Sequence, residues 1–141
     1  MKNYFYIFFL LPLSFFSQNY WQQRVNYTIN VKLNDQKHEL SGFENVEYHN
    51  NSESTLTFIY FHLWPNAYKD NTTALAKQFL SQGSRSFYFA PESDRGYIDS
   101  LHFKAGDEVL RTEIDKDNPD ICKVYLPKPL LPGDKVNIST P

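Results

Sequence analysis

The 141-residue sequence is 17 % aromatic and 21 % charged, with 8 Pro, 5 Gly and one Cys. That much aromatic area at low charge density excludes a disordered chain, and the length suits one domain with a real core. With 14 basic and 16 acidic residues and no Lys/Arg cluster, the chain lacks the footprint of a nucleic-acid binder.

The N-terminus reads as a targeting segment. Lys2 precedes an apolar run, Tyr4 to Phe16, matching the basic and hydrophobic regions of an export signal. Pro12 and Ser14 interrupt the run, which is short of the about 20 residues a membrane span needs. Residues 1–17 are therefore expected to be a signal peptide, cut after Ser17 or Gln18; an uncleaved anchor is the alternative. Residues 18–141 are then a β-rich domain that is exported, whether periplasmic, extracellular or at the cell surface. No transmembrane span is expected beyond the signal. In an exported chain the lone Cys122 either pairs between chains or sits buried as a small apolar residue.

Strict alternation then marks a first strand, with Val25, Tyr27, Ile29, Val31 and Leu33 on one face and polar residues on the other. Asn34 to Lys37 turns the chain into a second strand through Tyr48. Its pattern, Leu40, Val46 and Tyr48, is disturbed at Gly42-Phe43-Glu44, where a bulge would fit. Thr55 to Trp64 is apolar on both faces, which predicts a central strand covered on both sides, stopped by Pro65. Leu75 and Phe79 at i, i+4 predict one short helix, capped by Asn71, Thr72 or Thr73 and ended at Gly83. Tyr97, Leu101 and Phe103 mark a further strand. A hairpin turn follows at Ala105 to Glu108, with its return strand over Val109 to Ile114. Cys122, Val124 and Leu126 mark another strand, Pro127 to Gly133 a connection, and Val136 and Ile138 a last one. Seven strand candidates and one helix predict a mainly β fold, a β-sandwich or curved antiparallel or mixed sheet, incomplete at its C-terminus.

Chemical motifs are nearly absent. His38-Glu39 opens like a zinc-binding His-Glu-x-x-His, but Gly42 stands where the second His belongs, and the stretch reads as strand. His38, His49, His62 and His102 lie in separate strand regions. Asp94, Asp99, Asp115 and Asp117 fit no calcium loop. No nucleophile elbow or phosphate-binding glycine loop occurs. The sequence assigns no catalytic and no metal-ligating residue, and no cofactor to this chain.

One segment goes further. Phe61, His62, Leu63, Trp64, Pro65, Asn66, Ala67 and Tyr68 form a strand-end motif. It resembles that of the N-terminal domains of aminopeptidase N-like zinc metallopeptidases, the gluzincin group. Tyr27 to Leu33, and Leu40 to Gly42 with Val46 to Ser52, are similar to that domain's opening and second strands; Arg95 to Ile98 and Tyr125 to Leu130 with Pro132-Gly133 are similar to segments of secreted bacterial members. The eight motif residues are read as structural.

The resemblance implies a non-catalytic β domain that packs on a downstream catalytic domain and helps wall its peptide cleft. It implies zinc for the full-length enzyme, held in that later domain by His-Glu-x-x-His and a further Glu; peptides would be the substrate. The family's N-terminal domain is longer than residues 18–141, which implies either the front piece of a larger enzyme or a truncated product. An exported β-sandwich binding or adhesion module is the other class, favoured by the Tyr-, Asn- and Ser-rich composition.

Overall fold

β1 (Arg24–Asn34) and β2 (Glu39–His49) form an antiparallel hairpin in the computed structural model, which describes residues 20–141. The export signal read at residues 1–17 lies outside the described residues. Pairing runs unbroken from Arg24↔His49 to Asn34↔Glu39, so the bulge expected at Gly42-Phe43-Glu44 does not form. Leu40, Gly42, Glu44, Val46 and Tyr48 instead share one face, opposite Leu33, Val31, Ile29, Tyr27 and Val25. The pattern looked broken because a glycine and a glutamate occupy two apolar positions. Gly42 has a steric reason: a Cβ there would stand 3.3 Å from Cγ1 of Val31.

The remaining strands are β3 (Leu56–His62), β4 (Lys104–Ala105), β5 (Glu108–Val109), β6 (Thr112–Ile114), β7 (Ile121–Leu130) and β8 (Lys135–Thr140). They complete two antiparallel sheets, ordered β1-β2-β8-β4-β5 and β3-β7-β6. The fold is mainly β, as the sequence predicts. Ile138 from the first sheet and Ile59, Cys122 and Val124 from the second meet in the core with Leu63, Phe103 and Leu110. Cys122 is a free, buried thiol, and burial pushes its pKa up.

Several expectations need correction. β3 lies at a sheet edge, not at the centre, and its outward residue Tyr60 is exposed. β7 is the central strand. It also runs through Pro127 and Pro129, where the sequence predicts a connection. The prolines carry no N–H for the ladder, and the β3–β7 register jumps from Phe58↔Tyr125 to Leu56↔Leu130 across them. No strand forms over Tyr97 to Phe103; only Lys104 and Ala105 pair. The return expected over Val109 to Ile114 splits into β5 and β6, which join different sheets.

The helix α1 (Ala74–Ser81) follows a 3₁₀ helix, Trp64–Tyr68. Thr73 is its cap, its Oγ1 accepting from the Ala76 N–H at 3.2 Å. At the other end Gly83, at φ +83, lets the Ser84 and Gly83 N–H groups reach the carbonyls of Phe79 and Leu80.

Candidate functional site

β3 delivers the eight-residue motif to the rim of the sandwich. Phe61 turns inward, its ring 4.8 Å from that of Phe103. Leu63 is buried, and its N–H donates to the Asp120 carbonyl at 2.6 Å. Pro65 opens the 3₁₀ helix, where a residue without an N–H costs nothing. Asn66 staples two loops: its Nδ2 donates to the Pro119 carbonyl at 3.1 Å and its Oδ1 accepts from the Ile98 N–H at 2.9 Å. Ala67 is buried and its carbonyl accepts the Thr73 hydroxyl, which couples the motif to α1. Tyr68 stands edge-on to Phe87.

His62 and Trp64 remain outside the core. The His62 Nε2 lies 2.8 Å from Oδ2 of Asp120, and its ring is 4.2 Å from that of Trp64. Trp64 is 60 % exposed. These contacts orient both rings toward the rim, without a nucleophile hydroxyl or thiol in contact with His62 among the described residues.

Between this motif and the inner face of β2 lies a cleft of about 510 Å³. Phe61, Leu63, Trp64 and Pro65 form one wall, and Tyr27, Val46 and Tyr48 the other. Glu44 stands among them. Among the described residues its carboxyl accepts no hydrogen bond, and burial alone pushes its pKa up.

The cleft continues outward along the hairpin. Val46 is 2 % exposed, yet Tyr27, Ile29, Val31, Leu33 and Leu40 on that same face are 57 to 71 % exposed. The sequence predicts a dry face for β1, but none of the described residues covers it beyond Val25. β8 pairs with β2 from Glu44 to His49; among the described residues, Glu39–Phe43 pair with β1.

The outer side of β2 is polar and paired. Glu47 accepts from Lys135 Nζ at 2.7 Å and Asn26 Nδ2 at 3.0 Å, and lies 2.8 Å from His49 Nε2. These partners pull its carboxyl down to about 2.

A shallow depression on the outer face of the second sheet is self-satisfied. The Lys123 ammonium already lies 4.0 Å from the Phe58 ring and 5.0 Å from that of Tyr125. No group of three or more His, Cys, Asp or Glu stands together among the described residues. They do not fit the zinc that the resemblance implies for the whole enzyme, and no zinc chemistry is derived from them. No described helix is long and apolar enough to cross a membrane.

Sequence reasoning placed the motif and missed Glu44. Its signal was a charge at an apolar position of an alternating strand. No protein-family model, no curated protein and no solved structure matches the chain.

Proposed function

We propose that this chain is the non-catalytic N-terminal β domain of a secreted zinc aminopeptidase, packing on the catalytic domain and helping to wall its peptide cleft. The observation that carries the reading is the segment Phe61 to Tyr68, with its ordered companions, resembling that family. Its position is consistent with such a role, since it lines an open apolar cleft that continues into a sheet face no described residue covers. Contiguous exposed apolar faces on folded domains serve as contact surfaces.

A second reading is an exported binding or adhesion module. The exposed aromatics Tyr60, Trp64, Phe89 and Tyr97 favour it, as rings of this kind serve recognition surfaces.

The test is the reading frame past codon 141, followed by zinc analysis and aminopeptidase assay of its product. The peptidase reading expects a His-Glu-x-x-His helix, a later Glu, one zinc per chain and release of N-terminal residues. The 141-residue chain itself is expected to hold no stoichiometric zinc and to cleave no aminoacyl reporter. A stop codon there, or a longer product without zinc or activity, overturns the reading in favour of the binding module.

A further inference from the structure

We infer that the depression on the outer face of the second sheet binds one neutral pyranose ring, stacked on Tyr60 and hydrogen-bonded by Lys123, Glu113 and Asp115. This goes beyond the peptidase reading and does not rest on it, since none of the eight motif residues takes part.

Strand register builds the site. Tyr60 on β3 pairs with Lys123 on β7, and Lys123 with Glu113 on β6, so the three side chains form one row across the sheet. Asp115, two residues past Glu113, joins them at the end of β6, where its N–H donates to the Ile121 carbonyl at 3.0 Å. Together with Ile121 they line a depression of about 160 Å³. That is room for about five waters, enough for one six-membered ring but not for two.

Each polar group is held by the chain and keeps capacity for a ligand. Glu113 Oε2 accepts from the Tyr125 hydroxyl at 2.8 Å, and Asp115 Oδ1 accepts from the Asp117 and Asn118 N–H groups at 2.9 and 2.8 Å. Glu113 Oε1 and Asp115 Oδ2 accept no hydrogen bond among the described residues. The Lys123 ammonium is fixed over the rings of Phe58 and Tyr125 and donates no hydrogen bond among the described residues. Groups fixed in advance cost little further ordering on binding. Charge decides against an ion, because Glu113 and Asp115 are balanced by Lys123 and by Arg111, which lies 3.7 Å from Glu113 Oε2. A hydroxyl both donates and accepts, so adjacent hydroxyls of one sugar serve a carboxylate and the ammonium together. Tyr60, 60 % exposed, supplies the remaining surface: its negative ring face attracts the polarised C–H groups of a pyranose.

The probe is methyl β-D-glucopyranoside, whose equatorial hydroxyls leave a flat C–H face; tetrahydropyran-2-methanol is the same ring with a single hydroxyl. Binding to the full chain is read by saturation-transfer NMR and by titration. The glucoside is expected to bind in the millimolar range, with transfer strongest at its ring C–H protons. The tetrahydropyran should bind at least about tenfold more weakly, as the loss of two or more hydrogen bonds requires. Tyr60→Phe should bind as the parent does, and Tyr60→Ala should lose about tenfold with the ring face. Lys123→Met, which keeps an apolar chain against the rings, should bind about fivefold more weakly. Thermal melts verify that each variant is folded; should Lys123→Met unfold, Glu113→Gln takes its place with the same expected loss. No transfer to the glucoside, equal binding of the tetrahydropyran, or unchanged binding by the Tyr60→Ala chain overturns the inference. So does binding of glucuronate or glucosamine more than about tenfold tighter than the glucoside, a gain that only an ion site would give.

Discussion

Glu44 and Glu47 stand three residues apart on β2 and point to opposite faces, and their carboxyls are shifted in opposite directions. Burial in the apolar cleft raises Glu44. A raised carboxyl contributes stability below its unfolded value near 4.5, and that contribution is lost as pH rises through the folded pKa. Glu44→Gln is therefore expected to melt above the parent at pH 7 and level with it at pH 4. Thermal melts at the two pH values check this, and a lower melting temperature for the variant at pH 7 would refute it.

For Glu47 the sign reverses. Hydrogen bonds from Lys135, His49 and Asn26 hold its carboxyl at about 2, so its contribution is present above about 4.5 and lost as pH falls toward 2. Glu47→Gln should lower the melting temperature at pH 7, and the difference should vanish near pH 2. Because the group is open to solvent, the effect should also shrink in high salt.

Asn50 is fully buried at the end of β2 and holds three segments together. Its Nδ2 donates to the Ser54 and Leu130 carbonyls at 2.8 and 3.0 Å, and its Oδ1 accepts from the Ser52 hydroxyl at 2.6 Å. Its backbone closes the turn into β8 through Asp134 and Gly133. Asn50→Ala strands several buried partners and should cost roughly 2–4 kcal/mol in denaturant unfolding. A loss below about 1 kcal/mol would mean that the turn holds without it.

Local chemistry made much of this fold legible. Alternation gave β1, the cap candidates Asn71, Thr72 and Thr73 bracketed the start of α1 that Thr73 caps, Gly83 gave its end, and Gly106 at φ +61 forms the turn read at Ala105 to Glu108. What failed was long-range. Apolar residues on both faces of β3 suggested a central strand, but its outer face is filled by Phe58 and Tyr60 packing on Lys123 and Tyr125, a cross-strand cluster no local pattern encodes. Pro127 and Pro129 read as breakers, yet β7 carries them where β3 asks for no ladder bond. Glu44 was hidden for a similar reason. A charge among apolar positions reads as a register fault until pairing places it on the inner face.

The exposed hairpin face yields the last prediction. Val31 and Leu33 are 66 % and 64 % exposed, so neither contributes much burial to this fold. Large apolar residues at core positions cost several kcal/mol when replaced by charge, but here Val31→Lys with Leu33→Lys should change unfolding stability by less than about 1 kcal/mol. The same pair should act strongly on association. An exposed apolar sheet face such as the one carrying Val31 and Leu33 is a template for contact between chains. The parent chain should therefore elute larger as its concentration rises in size-exclusion chromatography, and the double lysine variant should remain at the monomer position. Lysines on this face repel the same face of a second chain, as charged side chains on natural sheets do. A double variant that unfolds several kcal/mol more easily would mean that Val31 and Leu33 are buried in the folded chain. A parent that stays monomeric at every concentration would mean that the face is closed to other chains.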